Sequence, residues 1–323
     1  MALPVPDAVR VHSLKAERAK TRGDMLTRAE ERMKAMERDL SREDGEILLD
    51  MREKFVESMS FGFRPEVMDI LDNEYAHQRQ IESIKDMLNQ AVCARMYGIG
   101  NSIYYGRLRK GDVTSFFEVA MRLGTAHTKM YIIMLSLLQI ASSPNARQLL
   151  AKAIATSVLG KVAAIRLGLP RESASKVELA GLFLEIGRII ALIYDEKEQK
   201  HRLPPDFPDR FNVFIGLKVI DRFHLPPYLS EVLLEDTIAF DEESFAVSTV
   251  VRMAHLLVSS SFSSRGLLSL KVPLPGANAF ASSQYGAVIR EWFGALGLDK
   301  YIEIVEAPTE TQRKLLPEPA DTI

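Results

Sequence analysis

The stretch ELAGLFLEIGRIIALI, residues 178–193, has apolar side chains that recur every three or four positions and contains only three charged residues. This spacing predicts a helix that is buried along much of its surface. We expect one helix over residues 171–194. Within it, Gly181 and Gly187 are small enough to let a neighbouring backbone approach closely.

The same helical spacing continues outward from this stretch in both directions, with Gly, Pro and Ser clusters between the segments. The predicted helical segments are 65–75, 80–97, 113–123, 126–140 and 146–167. Two proline-bearing joints, at 201–210 and 224–229, end one helix and begin the next, because proline fits only the first turn of a helix. The pattern predicts an all-α fold with one main helical domain over residues 61–306.

The first 60 residues differ from the rest in charge, with 12 basic and 13 acidic residues and a single aromatic side chain. Their apolar residues still recur at helical spacing, which predicts an amphipathic helical arm. One interpretation is that the arm packs on the main domain. The other is that it forms a homodimer or docks to a signalling protein. We expect residues 1–60 to be separable from the fold, and residues 307–323 to be a flexible tail.

Composition excludes several classes of function. The 323 residues include 41 basic and 43 acidic side chains, which gives no general electrostatic reason to bind nucleic acid or an anionic membrane. The most apolar run, residues 130–141, is shorter than the ~20 residues that a membrane-spanning helix needs. The single cysteine, Cys93, excludes an intrachain disulfide and suits a reducing compartment. The N-terminus lacks the pattern of a signal peptide, so we expect a cytoplasmic protein.

Six stretches, in order, resemble the HD-related output domain (HDOD) family of bacterial signal-transduction proteins. They are RPEVMDIL at 64–71, ARMYGIGNSIYYG at 94–106, VTSFFEVAMRLGT at 113–125, ELAGLFLEIGRIIALI at 178–193, HLPPYL at 224–229 and VVRMAHLLVSS at 250–260. The resemblance covers roughly residues 60–305. It implies two helical lobes, one extending to about residue 142 and an HD-like one beginning at about residue 145.

Four residues of the second and third stretches have local structural explanations. Asn101 and Ser102 are good capping residues where a helix stops, since their side chains can bond free backbone groups. Gly106 and Gly124 suit helix ends that require a positive φ. We therefore interpret these four residues as structural.

The resemblance also locates a former metal site. Phosphohydrolases of the wider His-Asp superfamily hold a metal with a histidine, a His-Asp pair and a later aspartate. These positions correspond here to Lys152, to Leu184 and Glu185, and to a place near His255. Leucine cannot ligate a metal and a charged lysine repels one, so two ligands remain where a stable site needs three or more. The resemblance therefore implies a degenerate pocket with no catalytic residue, metal or other cofactor.

Arg188 lies three positions after Glu185, a spacing at which the two side chains can pair on one helical face. With Lys152 nearby, they could form an ionic network where the metal once lay. We interpret His255 as a buried, hydrogen-bonded side chain, and His127 as an ordinary residue near a helix start.

Three functions remain open from the sequence. The first is a non-catalytic regulatory or scaffold module that acts through protein contacts. The second is a divergent metal-dependent phosphohydrolase that uses Glu185 and His255. The third is a sensor that binds a nucleotide-like or other small anionic ligand near Lys152 and Arg188.

Overall fold

The computed structural model describes residues 31, 34–35, 38, 40–57, 63–64, 66–101, 111–198, 203–234, 247–261, 268–269, 293–294, 296 and 298–303. Over these residues the chain is almost wholly helical. The described strands are two residues long, β1 (Leu268–Ser269) and β2 (Ile302–Glu303), and they pair in parallel. The prediction of an all-α fold is confirmed.

The helices up to residue 140 belong to the predicted arm and to the first lobe. They are α1 (Arg42–Met51), a π-helical turn (Arg52–Glu57), α2 (Glu66–Asp72), α3 (Gln78–Met87), α4 (Gln90–Asn101), α5 (Phe116–Leu123) and α6 (Thr125–Ile140). The second lobe holds α7 (Pro144–Arg166), α8 (Arg171–Phe183), α9 (Ile186–Lys197), α10 (Phe207–Arg222), α11 (Tyr228–Leu234) and α12 (Val247–Ser261), followed by a 3-10 turn (Asp299–Tyr301).

The chain passes from the first lobe to the second between α6 and α7. Ser143 caps α7 by accepting a hydrogen bond from the Ala146 amide at 3.1 Å, and Pro144 occupies the first turn. Proline is well suited to that position because a first-turn N–H has no helical partner. One helix therefore ends at Ile140 and a new one begins at Pro144.

Two segments predicted as single helices are each split in two. The segment 80–97 breaks at Leu88, which is extended and forms an antiparallel bridge with Phe63. Asn89 then restarts the helix, since its side-chain oxygen accepts a hydrogen bond from the Ala91 amide at 2.8 Å. The segment 171–194 breaks at Leu184 and Glu185, between α8 and α9. Tertiary contacts override the local helical preference at both places.

Helix α6 is the element that joins the lobes. It contacts α2, α4 and α5 of the first lobe and α7 and α8 of the second. Its buried Lys129 pairs with Asp72 of α2, and the same ammonium lies 3.4 Å from the Phe223 carbonyl oxygen at the end of α10. Apolar side chains of both lobes belong to one continuous core around it.

Helix α7 is the one described helix that is long and apolar enough to cross a membrane, with a mean hydropathy of 1.4 over its most apolar window. That window is 56% buried inside the protein. Helix α8 lies along it, and Gly181 of α8 allows this contact, because an added Cβ there would lie 2.8 Å from the Ser157 backbone. We therefore assign α7 as a core helix of the second lobe.

Helix α1 belongs to the predicted arm but is packed on the second lobe. Ile47, Leu48 and Met51 are buried in the common core. Asp44 also accepts a hydrogen bond from Arg210 of α10 at 3.0 Å. For this part of the arm the first interpretation, packing on the main domain, applies, and its buried side chains argue against a separable segment. Residues 1–30 and the predicted tail lie outside the described residues.

Candidate functional site

The break between α8 and α9 is held open by one side chain from α10. The Asn212 amide nitrogen donates to the Leu184 carbonyl oxygen at 2.9 Å, and its oxygen accepts from the Arg188 amide at 3.0 Å. Gly187 makes this approach possible, since an added Cβ would lie 2.1 Å from the Asn212 carbonyl oxygen. The side chain of Glu185 is thereby fixed at the junction of two helices rather than in the middle of one.

The Glu185 carboxylate is buried and contacts two cationic or potentially cationic side chains. Arg188 Nη1 lies 2.7 Å from Glu185 Oε2, as the three-residue spacing predicts. His255 Nε2 of α12 lies 3.3 Å from Glu185 Oε1. Arg188 also forms an ion pair with Asp209 at 2.8 Å, at the start of α10. Helices α9 and α12 therefore meet at this carboxylate, and Arg188 links it to the start of α10.

Lys152 of α7 interacts electrostatically with Glu185, Arg188 and His255. Burial lowers the pKa of the Lys152 ammonium, while Glu185 opposes this shift and Arg188 adds to it. Burial also lowers the pKa of His255; Glu185 opposes that shift, and Lys152, Arg188 and Arg252 reinforce it. The lowered pKa favours the neutral form of the His255 imidazole, and lysine and arginine supply the cationic side chains of the pocket.

The structure thus brings together four of the five predicted pocket residues, Lys152, Glu185, Arg188 and His255. The fifth, Leu184, is buried, and its polar contribution is the backbone oxygen bound by Asn212. We refer to Lys152, Glu185, Arg188 and His255 as the Glu185 cluster. Its ionic contacts are those of a network rather than of a metal cage.

Of the residues predicted to be structural, two are described. Gly124 has a φ of 80° between α5 and α6, the positive φ expected of it. Asn101 ends α4, and its side-chain oxygen accepts a hydrogen bond from the Val113 amide at 2.6 Å, which links the end of α4 to the residues that precede α5. Ser102 and Gly106 lie outside the described residues.

A second ionic cluster, around Glu178, is absent from the sequence-based prediction. The fully buried Glu178 carboxylate accepts hydrogen bonds from Tyr131 at 2.9 Å and from Lys161 at 2.6 Å, and contacts His127 Nε2 at 3.0 Å. His127 and Tyr131 lie on α6, Lys161 on α7 and Glu178 on α8. The interpretation of His127 as an ordinary helix-start residue is therefore wrong, because it takes part in the contact between the lobes.

Burial by itself would raise the pKa of Glu178, but the Lys161 ammonium and the His127 hydrogen bond outweigh it and lower the pKa to about 2. Tyr228 of α11 lies close by; burial raises the pKa of its hydroxyl, and the Glu178 charge adds to this. We refer to Glu178, His127, Tyr131 and Lys161 as the Glu178 cluster. The members of the cluster lie far apart in the sequence, which explains why local sequence patterns do not predict it. A glutamate inside an apolar helical run nevertheless indicates that hydrogen-bond donors are buried beside it.

A cleft of about 480 Å³ separates α1 from the end of α9 and is lined mainly by acidic side chains. Its lining residues are Glu43, Glu46, Ile47, Asp50, Lys54, Tyr194 and Glu198. Lys54 crosses it with contacts of 2.7 Å to Glu198 and 3.0 Å to Asp50, and Tyr194 donates a hydrogen bond to Asp50. These bonds tie the arm to the second lobe, so we interpret the cleft as a structural junction.

Metal binding requires several ligand side chains at one point. Among the residues that the structure describes, no group of three or more His, Cys, Asp or Glu side chains is arranged to hold a metal ion. In the Glu185 cluster, one carboxylate and one imidazole already contact each other, and two cationic side chains stand beside them. This donor set does not fit the metal that the His-Asp superfamily would place here.

Comparison with known families identifies the segment around these clusters. Residues 54–203 match the HDOD domain family. This segment is an HDOD domain. It contains the Glu178 cluster and, in the Glu185 cluster, Lys152, Glu185 and Arg188, whereas His255 lies beyond the matched residues. The HDOD domain begins inside the predicted arm, at the π-helical turn.

Several solved structures are similar to the chain. A candidate metal-dependent phosphohydrolase from Shewanella amazonensis is 13% identical over 77% of this chain and 99% of its own, with a TM-score of 0.48. An HDOD domain protein of unknown function from Geobacter sulfurreducens is 16% identical over 76% and 90%, with a TM-score of 0.42.

A candidate signal transduction protein from Marinobacter aquaeolei is 13% identical over 80% of this chain and 66% of its own, with a TM-score of 0.45. At these identities the likeness to solved structures concerns the fold alone. No curated protein matches the chain at a significant level.

Proposed function

We propose that this chain is a non-catalytic regulatory or scaffold module of bacterial signal transduction that acts through protein contacts. The single observation that carries the proposal is the Glu185 cluster. Where the His-Asp superfamily holds a metal, this HDOD domain has a carboxylate paired with Arg188 at 2.7 Å and in contact with His255 at 3.3 Å. Leu184 and Lys152 occupy two further positions where metal ligands would stand.

Electrostatics support the proposal. A divalent cation would have to enter beside Lys152 and Arg188 and break the bond between Glu185 and Arg188. Like charges within a few ångströms are strongly unfavourable in a partly buried site. The residues present therefore favour a pocket without a metal ion over one that holds a metal ion.

The divergent metal-dependent phosphohydrolase is the second candidate, because Glu185 and His255 are both potential ligands and lie within contact distance. It requires a third protein ligand. The third candidate, a sensor of a small anion, draws support from the cationic side chains of Lys152 and Arg188 beside His255.

The proposal includes a cytoplasmic location and signalling-protein partners, without nucleic acid or membrane binding. The half-buried Cys93, whose thiol pKa is raised by burial, suits a reducing compartment because it is held in the unreactive protonated form. In this proposal, signalling partners bind to the part of the arm that precedes α1. The same part of the arm could also join two copies of this chain in a homodimer.

Two experiments test the proposal. The full chain, purified without chelator, is assayed with Mg²⁺, Mn²⁺ or Fe²⁺ against nucleotides and phosphodiesters, with the Glu185→Ala variant as control. We expect no metal-dependent turnover and well under one bound metal per chain; turnover that disappears in the variant would overturn the proposal. Affinity capture from the native host, using the full chain, should then retain signalling proteins.

A further inference from the structure

Arg95 of α4 is a half-buried cation that forms no ion pair with any residue that the structure describes. It follows the buried Val92 by three positions and precedes the buried Ile99 by four, so its stem lies on the side of α4 that faces the core. Its Nη1 atom is buried and has no hydrogen-bond partner within the described part of the chain. Buried donors are nearly always bonded, so this nitrogen indicates a ligand or water that accepts from it.

A second guanidinium group, that of Arg147 in the first turns of α7, lies close enough to repel Arg95. Burial lowers the pKa of Arg95, and the charge of Arg147 lowers it further. Arginine stays protonated at neutral pH, so both effects destabilise the folded protein instead of removing the charge. An anion beside the two guanidinium groups would offset this repulsion by attracting both of them.

Arg147 is held in place by a bond that uses only one of its three nitrogen atoms. Its Nε donates to the Ala141 carbonyl oxygen at 2.9 Å, just after the end of α6. The half-buried Arg122, by contrast, donates through both of its Nη atoms to backbone carbonyl oxygens, whereas the Nη atoms of Arg147 have no partner among the described residues. Burial raises the pKa of the neighbouring Tyr301 hydroxyl against the opposing charge of Arg147, so this neighbour is a neutral donor.

The two arginines belong to different lobes, and both can be reached from solvent. Arg95 lies in the first lobe, and Arg147 lies in the second, close to where the chain passes from α6 to α7. Each residue is partly exposed. A planar guanidinium group binds phosphate and carboxylate groups through paired N–H donors, so two such groups suit an oxyanion.

We propose that Arg95 and Arg147 bind a small phosphate-type oxyanion at the boundary between the two lobes. One oxygen atom of the anion accepts from Arg95 Nη1, and the others accept from the Nη atoms of Arg147. The inference goes beyond the proposed function, and no residue of the Glu185 cluster takes part in it. Because the anion joins α4 to α7, its binding strengthens the contact between the lobes and supplies a regulatory input to the module.

Inorganic phosphate is the first probe and acetate is the second, and they separate a site for a tetrahedral oxyanion from one for a carboxylate. Affinity is measured on the full chain by calorimetry in a Tris-chloride buffer, with sodium chloride at equal ionic strength as the control for screening. The Nε–H resonances of Arg95 and Arg147 are followed by NMR. We expect phosphate to bind saturably and more tightly than acetate, and both resonances to shift at the same concentrations.

Arg95→Met should lower the affinity for phosphate about tenfold or more, since a charge-assisted hydrogen bond is lost while the apolar stem is kept. Arg147→Met should have an effect of the same size. The matched control is Arg79→Met, which removes an exposed arginine from α3 in the same lobe. It should leave the affinity unchanged.

Equal affinities in the Arg95→Met and Arg79→Met variants would overturn the proposal, as would a failure of phosphate to saturate or a preference for acetate. An affinity that Lys152→Met lowers and Arg95→Met does not would place the anion in the Glu185 cluster, which also contradicts the proposal. If Arg95→Met fails to fold, Arg147→Met and the two wild-type resonances decide, because an anion bound elsewhere leaves those resonances unmoved.

Discussion

A buried carboxylate stays charged only where donors surround it, and Glu178 and Glu185 meet this condition in different ways. Glu178 is fully enclosed by donors from three side chains. Glu185 is bonded on one side by Arg188, which is one third exposed, and contacts the His255 imidazole on the other. The two residues should therefore differ in what their charge contributes to stability.

Glu185→Gln should lower the free energy of unfolding by roughly 1–3 kcal/mol. This is less than the ~3–5 kcal/mol expected for breaking a fully buried pair, because solvent partly screens Arg188. The exposed pair Glu172–Lys176 provides the control, and Glu172→Gln should change stability by less than about 0.5 kcal/mol. Urea denaturation of both variants measures the difference. Equal stabilities would mean that the Glu185 pair is solvated and carries no structural role.

Glu178 should govern part of the acid denaturation of the protein. Its folded-state pKa of about 2 lies below the ordinary value of 4.5, so its stabilisation is complete above about pH 4.5 and is lost as the pH falls toward 2. The shift corresponds to roughly 3 kcal/mol at neutral pH. Glu178→Gln should lower stability at pH 7 and flatten the slope between these pH values. Glu46→Gln, at an exposed pair with Arg42, should retain the wild-type slope.

At the scale of elements, the break between α8 and α9 determines the geometry of the pocket. The sequence predicts the helical character of residues 178–193, because apolar spacing encodes it, and it predicts the pairing of Glu185 with Arg188. It does not predict the break, because Asn212, which bonds both sides of it, comes from α10. It misses the Glu178 cluster for the same reason, since the partners of Glu178 lie 17 to 51 residues away.

Gly187→Ala tests the close approach of α9 and α10. An added Cβ would collide with the Asn212 backbone at 2.1 Å, and a backbone cannot rotate away as a side chain can. We expect a loss of about 3 kcal/mol or more, at the upper end for overpacked cores. Gly45→Ala is the matched control, since a Cβ there has no neighbour within 4 Å in the middle of α1. It should stabilise the protein slightly, by up to about 1 kcal/mol. A tolerated Gly187→Ala would show that α10 can move away freely.

At the scale of the whole molecule, one core unites the two lobes with α1. The sequence predicts a helix over residues 146–167, because apolar spacing encodes it, and in the structure that helix begins after Ser143 with Pro144 in its first turn. It does not reveal that α1 packs on the second lobe. Charge density suggests a solvated arm, whereas the buried face of α1 is a narrow stripe that includes Ile47, Leu48 and Met51.

Truncation should locate the true edge of the fold. A chain that begins at residue 40 keeps α1, and we expect it to unfold cooperatively with nearly full stability. A chain that begins at residue 60 loses three buried apolar side chains and should be less stable by about 5 kcal/mol. Thermal and urea unfolding of both chains provide the comparison. If the two chains are equally stable, the arm is separable from the fold, as the sequence alone predicts.

The Glu178 cluster also constrains how this sequence can drift. A single-nucleotide change that removes Lys161 or His127 leaves a desolvated carboxylate with fewer donors, so the intermediate protein is less stable than either a complete cluster or an apolar replacement. Few series of single substitutions therefore lead from the complete cluster to the apolar replacement without a loss of stability. Natural relatives should carry the four residues together or exchange them together, and a lineage that keeps Glu178 beside apolar residues at positions 127, 131 and 161 would contradict this.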